Sequence, residues 1–334
     1  MTDLTNPPKP HIDNMAVIAD FAELECLRRD DANVSITDIV RIIQREHDGL
    51  SDDAVFERVS EAFADLEDRG RHCGEVDGRY PFRVLDRGTM LQFERTSDAT
   101  TAEPTTYLYL LLATRMNMAR ERMQGHEDAT ALFEEVCREV AIRFFGGPRP
   151  EVEAIVFGTS RATNQDDLDA DDEIDRTSFV DAVNHLCGEL GEGLRFQAAS
   201  ASPRVTAKDG RLDVVVWRRF ADRRPGQLIA FGQCKTGTNW DRDVYQLQPE
   251  AFCSKWMLKR PAAIPTRMFF IAERVCGDAS DVAHGTWYEL CCDSGILFDR
   301  CRIMEFASGL PDPLTRRIRK WVRAAAKVKG LRVA

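Results

Sequence analysis

At 334 residues, with 43% hydrophobic and 30% charged residues, the chain has the mixture of an ordinary globular protein and length enough for two domains. A net charge of −10 argues against wholesale coating of nucleic acid. The longest apolar run, Tyr107 to Ala113, is about a third of a bilayer span, and "MTDLTNPPKPHIDN" is no signal peptide, so we expect a cytoplasmic protein with no membrane partner.

Charge is uneven along the chain. "NQDDLDADDEIDR" (164–176) is acidic, whereas "LTRRIRKWVRAAAKVKGLRV" (314–333) carries no acid. The ten cysteines include no Cys-x-x-Cys pair, and free buried thiols are expected ahead of disulfides or structural zinc.

The first dozen residues are Pro-rich and polar, the composition of a disordered terminus. Val17, Ile18, Phe21, Leu24 and Leu27 then recur once per turn, predicting a helix over Met15 to Arg29. Ser35 or Thr37 caps a second helix bearing Ile36, Ile39, Val40 and Ile43, with a stop near Gly49. Ser51 caps a third through Val55, Val59, Phe63 and Leu66 to Gly70. Turn signals at Asp77-Gly78 and Arg87-Gly88 separate short apolar pieces, as in a hairpin.

Three helices and a hairpin resemble a winged-helix unit over 15–95, a module that binds DNA or docks a protein partner. Asp38, Glu46, Asp52, Asp53, Glu57, Glu61, Asp65, Glu67 and Asp68 crowd its second and third helices, which opposes contact with phosphates. DNA reading, docking to a partner or defence-complex subunit, and a structural role all stay open.

The polar piece 94–106 marks a boundary, and an α/β domain is expected over 107–310. It opens with a helix from Tyr107 to about Arg122. A second helix carries Leu132, Phe133, Val136, Val140 and Phe144 on one face and stops at Gly146-Gly147-Pro148. "VEAIVFG" reads as a short strand, "SFVDAVNHLCGELGEG" as a helix, and "LRFQAAS" as another short strand. "RLDVVVW" and "QLIAFGQCKTG" are apolar enough for strands buried on both faces. A helix over "RDVYQLQPEAFCSKWMLK" and a strand "TRMFFIAE" follow, and residues 311–334 form a basic C-terminal helix.

The polar residues in these strands are few. Alternation puts Gln233 and Lys235 on one side and Cys234 on the other, and pairing with "LDVVVW" brings Asp213 beside them. An acid, an amide and an amine converging at a sheet edge suit phosphodiester hydrolysis. Asp213 holds Mg2+ or Mn2+, Lys235 orients water and offsets phosphate charge, and Gln233 offers a neutral oxygen. The Cys234 backbone carbonyl is a further ligand candidate. Each residue alone also reads as a solvated strand end.

"LD" at Leu212-Asp213 followed by "QCK" at Gln233 to Lys235 resembles the restriction-endonuclease-like PD-(D/E)XK superfamily, in the variant where Gln replaces the acid. "GQCKTGTNW" is also similar to nucleases of bacterial anti-phage systems. The resemblance covers roughly 125–275. It implies a central mixed sheet flanked by helices and metal-dependent cleavage of double-stranded DNA in restriction or defence. It also implies a helix Glu as second metal ligand, for which Glu134 is the best placed, ahead of Glu135 and Glu139. No Pro precedes Asp213, and the Gln removes one charged ligand.

Thr236, Thr238, Asn239 and Arg211 are candidate phosphate contacts, and Trp240 either stacks or packs. The turn bearing Arg218, Arg219, Arg223 and Arg224, and the C-terminal helix with Trp321, are further candidates. Two rival readings remain: a non-catalytic nucleic-acid or protein-binding module on a nuclease fold, and a winged-helix transcriptional regulator. Subunit number is open, including a homo-oligomer.

Overall fold

The computed structural model describes residues 14–46, 51–74, 78–94, 102–116, 127–157, 172–197, 211–275 and 286–333. The expected disordered start, the stop near Gly49, Asp77 of the first hairpin turn, 95–101 of the boundary piece, 164–171 of the acidic run and 198–200 lie outside these.

Helix α1 (Met15–Arg28) starts where Asn14 Oδ1 accepts from the Val17 N–H at 3.2 Å. A short strand, β1 (Asn33–Ser35), leads into α2 (Ile36–Glu46). Of the two expected caps Ser35 is the one used: its Oγ accepts from the Asp38 N–H, and Asp38 Oδ2 accepts from the Ser35 N–H at 3.0 Å. Ser51 caps α3 (Asp52–Cys73), which runs one turn past Gly70 and ends on left-handed Gly74 at φ 84°. The hairpin is β2 (Phe82–Leu85) and β3 (Met90–Phe93), and β1 completes an antiparallel sheet in the order β1-β3-β2.

Two helices follow, α4 (Ala102–Arg115) and α5 (Ala129–Phe144). The larger sheet has five strands in chain order: β4 (Val152–Val156), β5 (Val214–Arg218), β6 (Leu228–Lys235), β7 (Thr266–Ile271) and β8 (Ile296–Phe298). The pairs β4–β5 and β5–β6 are antiparallel, whereas β6–β7 and β7–β8 are parallel. The architecture is therefore mixed α/β, with a five-stranded mixed sheet and a small antiparallel sheet.

Alternation along the strands divides the interior in two. Val214, Val216, Ala230, Cys234, Met268 and Phe270 face α4, α5 and the C-terminal helix α10 (Asp312–Lys329). Val215, Trp217, Ile229 and Phe231 face α6 (Asp172–Leu190) and α7 (Pro249–Trp256). Apolar side chains on both faces explain the unbroken Val214–Val216 run. The expected helix over 242–259 is shorter: Trp240–Asp243 forms a single 3-10 turn, and α7 begins only at Pro249, whose fixed φ suits a first helical position. "LRFQAAS" contributes a lone bridge, Phe196 to Met257, in place of a strand.

The first core is continuous from Ile18 of α1 through Phe133 of α5 to Trp321 of α10. Asp20 lies buried within it. Arg300, at the start of α9 (Arg300–Phe306), grips both Asp20 oxygens at 2.9 Å, and Arg69 and Arg115 each bond it at 2.5 Å. Burial pushes the Asp20 carboxyl up, but the three guanidinium charges outweigh it and hold the group well below the usual carboxylate range. Glu23 accepts from the hydroxyls of Tyr80 and Tyr107 at 2.8 and 2.7 Å. Contrary to the expectation of free thiols, Cys73 and Cys301 form a disulfide between α3 and α9. The other cysteines of the described residues are free thiols; Cys26, Cys137, Cys187, Cys234 and Cys253 are buried as expected, whereas Cys291 is half-buried and Cys292 is exposed.

Candidate functional site

The antiparallel register of β5 and β6 pairs Val214 with Gly232, so Asp213, one residue before β5, stands opposite Gln233. The Asp213 N–H donates to the Gly232 carbonyl at 3.0 Å, and Asp213 Oδ2 accepts from the Cys234 N–H at 2.7 Å. A strand residue's carbonyl points the same way as its own N–H, so the Cys234 carbonyl is directed toward the Asp213 side.

The Cys234 side chain points to the opposite face, where its thiol interacts with that of Cys137 of α5. Glu134 lies three residues before Cys137, on the same side of that helix. Glu134 is thereby carried on the face of α5 that packs against the sheet, within reach of the Asp213 charge. Burial, followed by the charges of Asp213, Asp128 and Glu135, pushes the Glu134 carboxyl up to about 8. Burial pushes Asp213 up to about 6, against the opposing pulls of the Cys234 N–H, Lys235 and Arg211. Asp213 ionises first, so their mutual repulsion falls on Glu134.

The other two acids of α5 are taken. Glu135 pairs with Arg138 and Arg317, and Glu139 with Arg138 and Arg143. Glu134 alone of the three has no cationic partner among the described residues.

On the far face, Lys235 Nζ pairs with Asp243 Oδ2 at 2.6 Å. The Asp243 Oδ1 accepts from Gln246 Nε2, and Gln246 Oε1 accepts from Gln233 Nε2 at 3.4 Å. Gln233 is 1% exposed, and its Oε1 has no hydrogen-bond partner among the described residues. Asp243 and Gln246 are residues that sequence reasoning missed; only their proximity to Lys235 in the chain hinted at them.

Among the described residues no three His, Cys, Asp or Glu side chains gather into a metal-binding group. The oxygens at hand are two carboxylates of raised pKa, the orphaned Gln233 carbonyl and the Cys234 backbone carbonyl. They suit a hard cation, because a positive charge relieves the carboxylate repulsion and an oxygen donor satisfies its preference.

Arg211 is exposed in the left-handed region at φ 49°, Thr236 is buried, and Thr238 and Asn239 are exposed. Trp240 packs beside Phe269, and its Nε1 donates to Glu273 Oε2 at 2.6 Å. The basic turn does not reach the site. It joins β5 to β6 at their other end, five residues beyond Asp213 and about 17 Å away. There Arg218 donates to the Phe145 carbonyl and Arg219 pairs with Glu153. Trp321 is buried against Tyr109, so it offers no surface for a base. No family model, curated protein or solved structure matches this chain, and the chemistry of the site is read from its own residues.

Proposed function

We propose that the chain is a metal-dependent endonuclease that hydrolyses phosphodiester bonds of double-stranded DNA, with a place in bacterial restriction or anti-phage defence. One observation carries the reading: Asp213 and Lys235 sit on adjacent strands at one sheet end, with Glu134 close enough for Asp213 to raise its pKa. The sheet order, with two antiparallel pairs followed by two parallel ones, supports a restriction-endonuclease-like fold. The helix, strand, helix, helix and hairpin order of residues 15–93 supports a winged-helix arrangement, and its acidic helices favour protein docking.

Glu134 and Asp213 would hold Mg2+ or Mn2+, with the Gln233 and Cys234 carbonyls as neutral donors. When bound, the cation supplies Lewis acidity toward phosphate and water. Lys235 offsets charge developing on the phosphate, and Asp213 is kept in place by the Cys234 N–H. Exposed Thr238 and Asn239 are free to donate to flanking phosphate oxygens.

Incubation with supercoiled plasmid and Mg2+ or Mn2+ tests the proposal. Nicked or linear products are expected from the wild type and not from Asp213→Ala or Lys235→Ala. Equal cutting by all three proteins would overturn it.

A further inference from the structure

Gln233, Gln246, Asp243 and Lys235 form one hydrogen-bonded chain whose polarity is set at a single end. A carboxylate only accepts, so Asp243 obliges Gln246 to present its NH2 group, and Gln246 does so. Its Oε1 then faces Gln233, and a carbonyl oxygen also only accepts. Gln233 must answer with its own NH2, and does. The Gln233 carbonyl is what remains, buried and without a partner among the described residues. Reversing either amide would set oxygen against oxygen or NH2 against NH2.

Such an orphan is costly. An unmatched buried carbonyl forfeits the solvation it has in water, and a flip of the amide would relieve it if the neighbours allowed. The other Asp243 oxygen simultaneously binds Lys235 Nζ at 2.6 Å. Asp243 lies in the 3-10 turn Trp240–Asp243, and Gln246 follows at once, its N–H bonded to the Asp243 carbonyl at 3.0 Å. A compact local element therefore holds both partners.

We propose that Asp243 and Gln246 are positioning residues that fix the Gln233 carbonyl as an oxygen donor to the cation or to its bound water, while Asp243 holds the Lys235 ammonium. The inference rests on the nuclease reading and adds two residues to it. Asp243 is engaged by Lys235 on one oxygen and by Gln246 on the other, and the role assigned to it is positioning.

The test is Mn2+ binding to the full chain, followed by loss of the free-ion electron paramagnetic resonance signal, together with the Mn2+ dependence of plasmid cleavage. Gln246 is exposed, so Gln246→Ala removes the relay without opening the core. It is expected to raise half-saturating Mn2+ about 10-fold, the usual effect of losing a group that orients a metal ligand. Cleavage at saturating Mn2+ falls much less. Asp243→Asn gives the same shift and, because Lys235 loses its ion pair, a fall in the saturated rate as well.

Wild-type half-saturation in Gln246→Ala, or a fall in saturated rate alone, would overturn the relay and leave the nuclease reading standing. If the wild type binds Mn2+ without cutting, the binding curves decide by the same criterion. A wild type that neither binds Mn2+ nor cuts overturns the nuclease reading, and the relay falls with it.

Discussion

The Cys234 N–H donates to Asp213 Oδ2 at 2.7 Å across the ends of two antiparallel strands, so the backbone of one strand aims the acid of the other. Asn at position 213 retains an oxygen acceptor for that N–H but no charge. Asp213→Asn is therefore expected to leave the fold intact by circular dichroism and to lower plasmid cleavage by about 100-fold or more. A variant that cuts at the wild-type rate refutes the role of the charge.

Glu134 supplies a pH dependence with a definite sign. Its carboxyl is raised from 4.5 to about 8, so the folded state holds the proton more tightly than the unfolded chain. Stability is full below about 4.5 and is lost as pH rises toward 8; Asp213, raised from 3.8 to about 6, acts in the same direction at lower pH. Metal-free protein should lose about 2–4 kcal/mol of stability between pH 5 and pH 9 through Glu134. Glu134→Gln should flatten the corresponding thermal-melt profile.

Cation binding should show the same proton. At pH 7 Glu134 is largely protonated and must ionise to coordinate, so calorimetry in buffers of different ionisation enthalpy should report release of about one proton per Mn2+. Apparent affinity should rise between pH 6 and pH 8. Glu134→Gln is expected to bind more weakly and to release almost no proton, and unchanged release would assign it to another group.

Lys235 acts on charge at the phosphate, not on the cation. Lys235→Met is expected to lower cleavage by about 100- to 1,000-fold while Mn2+ affinity changes little. Loss of Mn2+ binding in this variant would place the lysine's role in organising the carboxylates.

Arg300 is fully buried and clasps both oxygens of Asp20. Arg300→Met removes one partner of a buried pair and should cost about 3–5 kcal/mol, read from denaturant unfolding. A loss within 1 kcal/mol would show that Arg69 and Arg115 suffice to hold Asp20.

Much of this fold was legible because burial leaves period and composition in the sequence. Val214–Val216 announced a central strand, and Ser51 stands where a helix begins. Placing Asp213 beside the end of the Lys235 strand took alternation together with an assumed pairing of the two strands, and that pairing is observed. Other features leave no such trace. Strand β8 has only three residues, and Cys73 and Cys301 are separated by 228 positions. Asp20 and Glu23 read as polar positions of an amphipathic helix, because their partners Arg69, Arg115, Arg300, Tyr80 and Tyr107 are spread along the chain. Asp243 and Gln246 lie in and just after a single 3-10 turn, too short for any period to show.

The bonds around Asp20 also set how the chain can be dissected. From Asp20 a line of hydrogen bonds passes through Arg115 and Glu273 to Trp240, five residues beyond Lys235. A truncation that discards the first helices strips Arg115 and Arg300 of their shared counter-charge Asp20 and loosens the loop that follows the lysine. Loss of cutting by such a fragment would report a damaged scaffold and would not map a DNA-reading surface to the missing part. Point substitutions on exposed faces of α2 and α3 are the means of learning what those helices touch.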